Sequence, residues 1–102
     1  MPFPGVRMKE LSLDRARNVA LVLIEMDAGS RIPDHDHVFP DEALVLTGDV
    51  TSGGRELHAG DFFHAGAGTH HTNVVSRNGC TGLLSLAATV WVDLRARSQP
   101  VA

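Results

Sequence analysis

The stretch Gly29–Gly48, GSRIPDHDHVFPDEALVLTG, decides how this chain is read. It sets His35 and His37 two residues apart, follows them with Asp41 and Glu42, and runs through ALVLT to Gly48. Side chains on an extended strand alternate with period two, so residues two apart share a face. Both imidazoles can then address one point, and a carboxylate opening the next strand can close on it. Imidazole nitrogen together with carboxylate oxygen suits zinc, iron(II), nickel, manganese or copper. A third imidazole would complete a mononuclear site. His70 and His71 offer one, adjacent in AGAGTHH after a second glycine-punctuated strand. The same alternation lets only one of these two neighbours face it.

The spacing resembles the first motif of the cupin superfamily: glycine, five residues, His-x-His, three or four residues, Glu, six residues, glycine. Gly29, SRIPD, His35, Asp36 and His37 fit as they stand. Two carboxylates compete for the next position. Asp41 satisfies both spacings but replaces the usual Glu, whereas Glu42 keeps the residue type and shortens the following strand by one. A one-residue slip turns a side chain to the opposite face, so one of the two belongs to the site; register favours Asp41, with Glu42 as the alternative. The second cupin motif is glycine, five residues, Pro-x-Gly, two residues, His, three residues, Asn. Gly60, DFFHA, Gly66, Ala67, Gly68, Thr69, His70 and His71 follow it. Gly66 stands in the proline slot, His71 on the ligand position, and Val75 where Asn would be, with Asn73 nearby.

The resemblance runs from Gly29 through Val75. It implies an all-β cupin double-stranded β-helix, a jelly-roll barrel. It also implies one divalent transition metal (Fe, Zn, Ni or Mn) held by His35, His37, Asp41 and His71. Within the superfamily, the paired histidines followed by ALVLTGD look most like the zinc-binding cupin domain of ChrR-type anti-sigma factors and small dioxygenase-like relatives. The zinc-sensing relatives carry a separate sigma-binding helical domain, for which 102 residues leave no room.

The bulk properties agree with a single domain, residues 1–102, with an irregular arm at 1–6 and a polar tail at 96–102. A hydrophobic fraction of 43% with 21% charged residues is ordinary globular composition. A net charge of −3 and a pI near 6.0 give no basic footprint for nucleic acid or an anionic membrane. Cys80 is the one cysteine, so no internal disulfide forms. The start, MPFPGVRMKELSLDR, lacks the apolar region of a signal peptide, and no apolar run reaches spanning length. A cytoplasmic location is expected.

Strand signals follow one another along the chain. Residues 7–13 alternate loosely, DRARN at 14–18 is a polar break, and VALVLIEMDA at 19–28 is an apolar, β-branched run stopped by Gly29. Residues 42–47 form the next strand, with Gly48-Asp49 read as a turn. Residues 49–57 read as a hairpin tipped by Ser52-Gly53-Gly54. His58–Asp61 turns, Phe62–Ala65 is a short strand, 72–76 continue as strand, and Arg77-Asn78-Gly79 turns again. LLSLAATVWVDL at 83–94 reads as a long final strand or two. Short strands between glycine-rich turns indicate a sandwich or barrel, and no helix is required.

Other polar residues carry ordinary roles. His58 at a turn is read as exposed, His64 as a packed or surface residue, Asp36 as facing away from the metal, and Asp49 and Asp61 as turn residues. Cys80 reads as a quiet thiol. Trp91, Phe62 and Phe63 are core or dimer anchors. The pocket floor, Val45, Phe63, Leu84 and Leu86, is apolar and favours a small, partly hydrophobic ligand. Three imidazoles and a carboxylate leave two positions open on an octahedral ion. With iron(II), the resemblance implies a dioxygenase-like enzyme acting on a small organic acid or diketone-like compound. With zinc in a closed site, it implies a non-catalytic sensor or scaffold. A homodimer burying the apolar strands 19–28 or 83–92 is expected, because unpaired strand edges invite a twin.

Overall fold

The computed structural model describes residues 3–32, 35–36, 41–66, 70–71, 74–96 and 99–101. In chain order the strands are β1 (Val6–Asp14), β2 (Val19–Met26), β3 (Arg31–Ile32), β4 (His35–Asp36), β5 (Asp41–Ser52) and β6 (Arg55–His58). They continue with β7 (Phe62–Ala65), β8 (His70–His71), β9 (Val74–Val75), β10 (Cys80–Leu86), the helix α1 (Ala88–Arg95) and β11 (Gln99–Pro100). The strands run antiparallel except for β11, which joins β1 in parallel. One layer has the order β11-β1-β2-β10-β5-β7. The second is made by β6, the far half of β5, β9 and β3. The result is a curled sheet closing on an apolar interior, the jelly-roll architecture expected.

β5 ties the two layers together. Its first half pairs with β10 and β7, and its second half, from Asp49 onward, pairs with β6. The crossing falls at Gly48, which the sequence reading took for a turn. The strand passes straight through it with φ at +78°. The register against β10 slips just before it: Val45 opposes Gly82 and Thr47 opposes Thr81, leaving Leu46 as the extra residue. A bulge of this kind bends a strand and raises its twist, which is what a sheet needs in order to curl. The β5–β6 hairpin turns at Gly53-Gly54, both at positive φ, as the primed two-residue turns require.

Strand alternation sorts the side chains. On β2, Ala20, Val22 and Met26 are buried; on β10, Leu86 is. These join Val6, Met8 and Trp91 in one core cluster. Leu86, expected on the pocket floor, belongs to this cluster because it lies at the end of β10 that meets α1. The helix is the main departure from the sequence reading, which ran strand through residue 94. Chain direction changes after Leu86, and Trp91 N–H donates to Ala87 C=O as the helix begins. Ala87 offers no side-chain cap, so the cap comes from across the fold: Asn18 Oδ1 accepts from Thr89 N–H at 3.1 Å. Asn18 reaches it from the β1–β2 turn, where it sits at φ +56°. Trp91 is only 2% exposed, and its indole N–H donates to Glu10 Oε1 at 2.8 Å. Arg95, in the last turn, donates to the same oxygen. Helix formation thus follows from tertiary demands on Trp91 that outweigh the β-branched content of TVWV. The tail is likewise more than a polar extension, since β11 adds to the sheet beside β1.

Asp49 locks the crossing from inside the sheet. It is 7% exposed, and its carboxylate accepts from the backbone N–H groups of Arg77 and Asn78 and from Asn78 Nδ2 at 2.8 Å. The fully buried Ser76 hydroxyl donates to Asp49 C=O at 2.6 Å. The sequence reading made Asp49 a turn residue; it does hold a turn, but the one at 77–79 across the barrel. The Asn78 amide and these backbone donors hold its carboxyl below the usual aspartate range. A depressed folded-state pKa gives stability that is complete above the unfolded value of about 3.9 and is lost as pH falls through the folded value. Asp49→Asn is therefore expected to lower Tm at pH 7 and to show a smaller further drop below pH 4 than the parent, checked by thermal melts across pH 2.5–7.

Candidate functional site

β4 opens on His35, and Gly29 stands in the turn before β3 and β4. Its φ of +82° is left-handed, which suits glycine, and it lets the chain leave β2 for the second layer. Its N–H donates to Ser76 C=O at 2.7 Å, and Ser76 N–H donates to Ser30 C=O. Four described pairs lie beyond this link, two between β3 and β9 and two between β4 and β8. Arg31 opposes Val75, Ile32 opposes Val74, His35 opposes His71 and Asp36 opposes His70. The backbone thus sets His35 directly across from His71, the member of the doublet that the motif spacing selects.

Asp41 opens β5 opposite Ala65, and Glu42 opposes His64. The next inward pair along this ladder is Ala43 opposite Phe63. Glu42 is half exposed, with Oε2 3.4 Å from His64 Nδ1 on the outer surface of the sheet. His64 is therefore a surface residue, as expected. His58 is exposed too, 3.8 Å from Glu56. His37 lies outside the described residues, as do Thr69 and Asn73 of the second motif, and of His35, Asp36, Asp41, His70 and His71 the backbone alone is described. Among the described side chains no three His, Cys, Asp or Glu groups come together.

Beside the paired histidine strands lies a cavity of about 120 Å³. Ile32 and Val74, three residues from His35 and His71 along their chains, form part of its wall. Ile24, Met26, Ala43, Val45, Phe63 and Leu84 line the other layer's side, and Val50 and Leu57 close it. Three of the four floor residues expected from sequence, Val45, Phe63 and Leu84, are in this wall. No charged side chain is among its described lining, and Ser52, Thr81 and Cys80 supply the few polar atoms. Burial pushes the Cys80 thiol up, so it stays protonated near neutral pH and fits the quiet role expected. Sequence reasoning did not single out Ile32, Val50, Leu57 or Val74. Their signal was present as inward positions on short strands, but which strands face each other is not written locally.

The barrel, its glycine-anchored histidine strands and this apolar interior coincide with the sequence comparison. The chain belongs to the ChrR cupin-like domain family, whose model matches residues 1–90. Comparison with curated proteins gives no match. Among solved structures, acetylacetone dioxygenase from Acinetobacter johnsonii superposes with a TM-score of 0.77 at 17% identity, over 85% of this chain and 66% of that one. The complex of SigE with the anti-sigma ChrR from Rhodobacter sphaeroides matches with a TM-score of 0.69 at 29% identity, over 79% of this chain and 43% of that one. A putative acetylacetone dioxygenase from Methylibium petroleiphilum gives 0.76 at 21% identity, over 85% and 69%. The chain thus spans between about two fifths and two thirds of these proteins. No helix among the described residues is long and apolar enough to cross a membrane.

Proposed function

We propose that this protein is a mononuclear metal-binding cupin of oxygenase-like type, acting on a small, partly hydrophobic organic substrate. The observation that carries the reading is the register that opposes His35 and His71 beside an apolar cavity. Directly opposed residues in an antiparallel pair have Cβ atoms about 5 Å apart, close enough for two imidazoles to share an ion. The donor set fits a divalent transition metal: His35, His37 and His71 would supply nitrogen, and Asp41 would supply oxygen. Asp41 is preferred because Glu42 is engaged with His64 on the outer surface, and one residue of slip separates the two faces. Such an ion supplies Lewis acidity and, if iron, a route for electrons between substrate and dioxygen.

The chain's own contribution is binding and exclusion of water. Val50, Leu57, Phe63 and Leu84 offer an apolar wall with no charged group among the described lining, which suits a compact ligand such as a β-diketone. The fold likeness to an acetylacetone dioxygenase supports that choice of first substrate. A second reading, a metal-sensing or scaffold module without turnover, is supported by the family match and the 29% likeness to the ChrR complex.

Elemental analysis of protein purified without a histidine tag, followed by oxygen uptake with acetylacetone, separates the readings. Stoichiometric iron with substrate-dependent oxygen consumption is the expected result. Zinc without uptake would favour the sensor reading. No metal after reconstitution with iron or zinc would overturn both.

A further inference from the structure

The cavity exists because two inward positions carry almost no side chain. Inward residues of the first layer stand in directly opposed rows. One row is Ile24, Gly82 and Val45, on β2, β10 and β5. The next is Val22, Leu84, Ala43 and Phe63, the last of them on β7. Two packed layers about 10 Å apart are normally filled by side chains from both inner faces. Here the middle of the first row has none, and the adjoining place on β5 has a single methyl group. Ile32, Val50, Leu57 and Val74 line the cavity from the second layer, and its volume of about 120 Å³ takes up the space that larger residues would fill.

The backbone does not account for Gly82. Glycine inside a central strand weakens it, and its usual reasons are a positive φ, a bulge or the close approach of another group. Gly82 is not among the positive-φ glycines. The bulge beside it puts the extra residue on β5, not on β10. A Cβ at Gly82 would lie 3.1 Å from Leu44 C=O and 3.6 Å from Ile24 Cγ2, which asks the neighbour to give by a few tenths of an ångström. That is far milder than the backbone overlap met at Gly48. What remains is close approach from the cavity side.

We infer that Gly82 and Ala43 determine what this cavity holds: one compact, uncharged molecule whose apolar part is about the size of a benzene ring. The size follows from the volume, since a dry cavity of ~150 Å³ lined by Leu, Ile and Phe takes benzene or xenon. The absence of charge follows from the wall. No charged side chain is among the described lining, so an ion held there would lose its water without gaining a partner. The inference rests on the proposed function for the guest's chemistry alone, because an apolar cavity takes an apolar guest with or without a metal.

Isothermal titration calorimetry of the full chain with benzene tests this without turnover. The parent is expected to bind benzene, and to bind piperidinium, a ring of similar size that carries a charge, about tenfold more weakly or worse. Gly82→Val and Ala43→Val add carbon to the gap from neighbouring strands. Each is expected to weaken benzene binding about tenfold or more, since one methylene already matters that much in an apolar pocket. Both should keep the near-ultraviolet circular dichroism of Trp91 in the core cluster and the parent's metal content. Should Gly82→Val lose the Trp91 signal, Ala43→Val decides alone. A parent that does not bind benzene, piperidinium bound as tightly as benzene, or parental benzene affinity in folded Ala43→Val would overturn the inference. Benzene binding by a protein that takes no metal would uphold it while removing both the oxygenase and the sensor readings; stoichiometric metal without benzene binding would do the reverse.

Discussion

Replacing His71 with Ala is expected to remove stoichiometric metal from the purified protein, whereas His58→Ala retains it. His71 stands opposite His35 on the paired strands β4 and β8, while His58 is an exposed residue closing β6. Loss of an outer partner that only orients a ligand already costs metal sites about 10- to 100-fold in affinity, so deletion of a ligand itself should cost on the order of 100-fold or more. His37→Ala should behave as His71→Ala does. In the same assay, Asp41→Ala is expected to lose metal and Glu42→Ala to keep it, because Glu42 meets His64 on the outer surface. Metal content by plasma emission reads all five variants at once. Retention in His71→Ala would sink the ligand set, and loss confined to Glu42→Ala would move the carboxylate by one residue. Neither outcome depends on turnover, so the metal site can be judged apart from the reaction.

How far such a site was legible in the sequence depends on what kind of information each part required. Period-two alternation is local, so Val45, Phe63 and Leu84 could be assigned to the interior before any strand was paired. Positive-φ turns are local too: Gly53-Gly54 and the turn at 77–79 followed from glycine and asparagine chemistry. Pairing is non-local. Nothing in residues 29–37 alone says that Gly29 and Ser30 bond to Ser76, or that β4 lies against β8. The same limit explains the helix. TVWVDL reads as strand by propensity, and its conformation is decided by Asn18 and Glu10, 71 and 81 residues away from the groups they hold. The runs at 19–28 and 83–92, expected to offer sheet edges, do not do so for a related reason: β2 lies between β1 and β10, and β10 between β2 and β5. An apolar run signals burial, but only topology says whether that burial is at an edge, in the middle of a sheet or on its open face.

The largest effect on stability is expected from Gly48→Ala, which should cost at least about 3 kcal/mol, a large share of the ~5–15 kcal/mol that folds a domain. Two terms contribute. The residue sits at φ +78°, where an L side chain costs roughly 1–2 kcal/mol. The added Cβ would also overlap Gly79 C=O and lie 2.8 Å from Cys80 Cα. Both are backbone atoms that cannot rotate away. Gly79 C=O accepts from Asp49 N–H, and Gly79 is itself at φ +89° with a Cβ position 3.2 Å from Met26 C=O. Relief at Gly48 would therefore push β10 from β5 and open the crossing on which the second layer hangs. Gly53→Ala isolates the first term, because its φ is +57° and nothing lies within 4 Å of the new Cβ. It should cost only about 1–2 kcal/mol. Denaturant unfolding of both variants measures the difference. Equal losses would mean that β5 and the 79–80 backbone can separate cheaply, and that the glycine closing the first motif serves conformation alone. A much larger loss at Gly48 would make it the contact that holds the two layers of the barrel in register around the cavity.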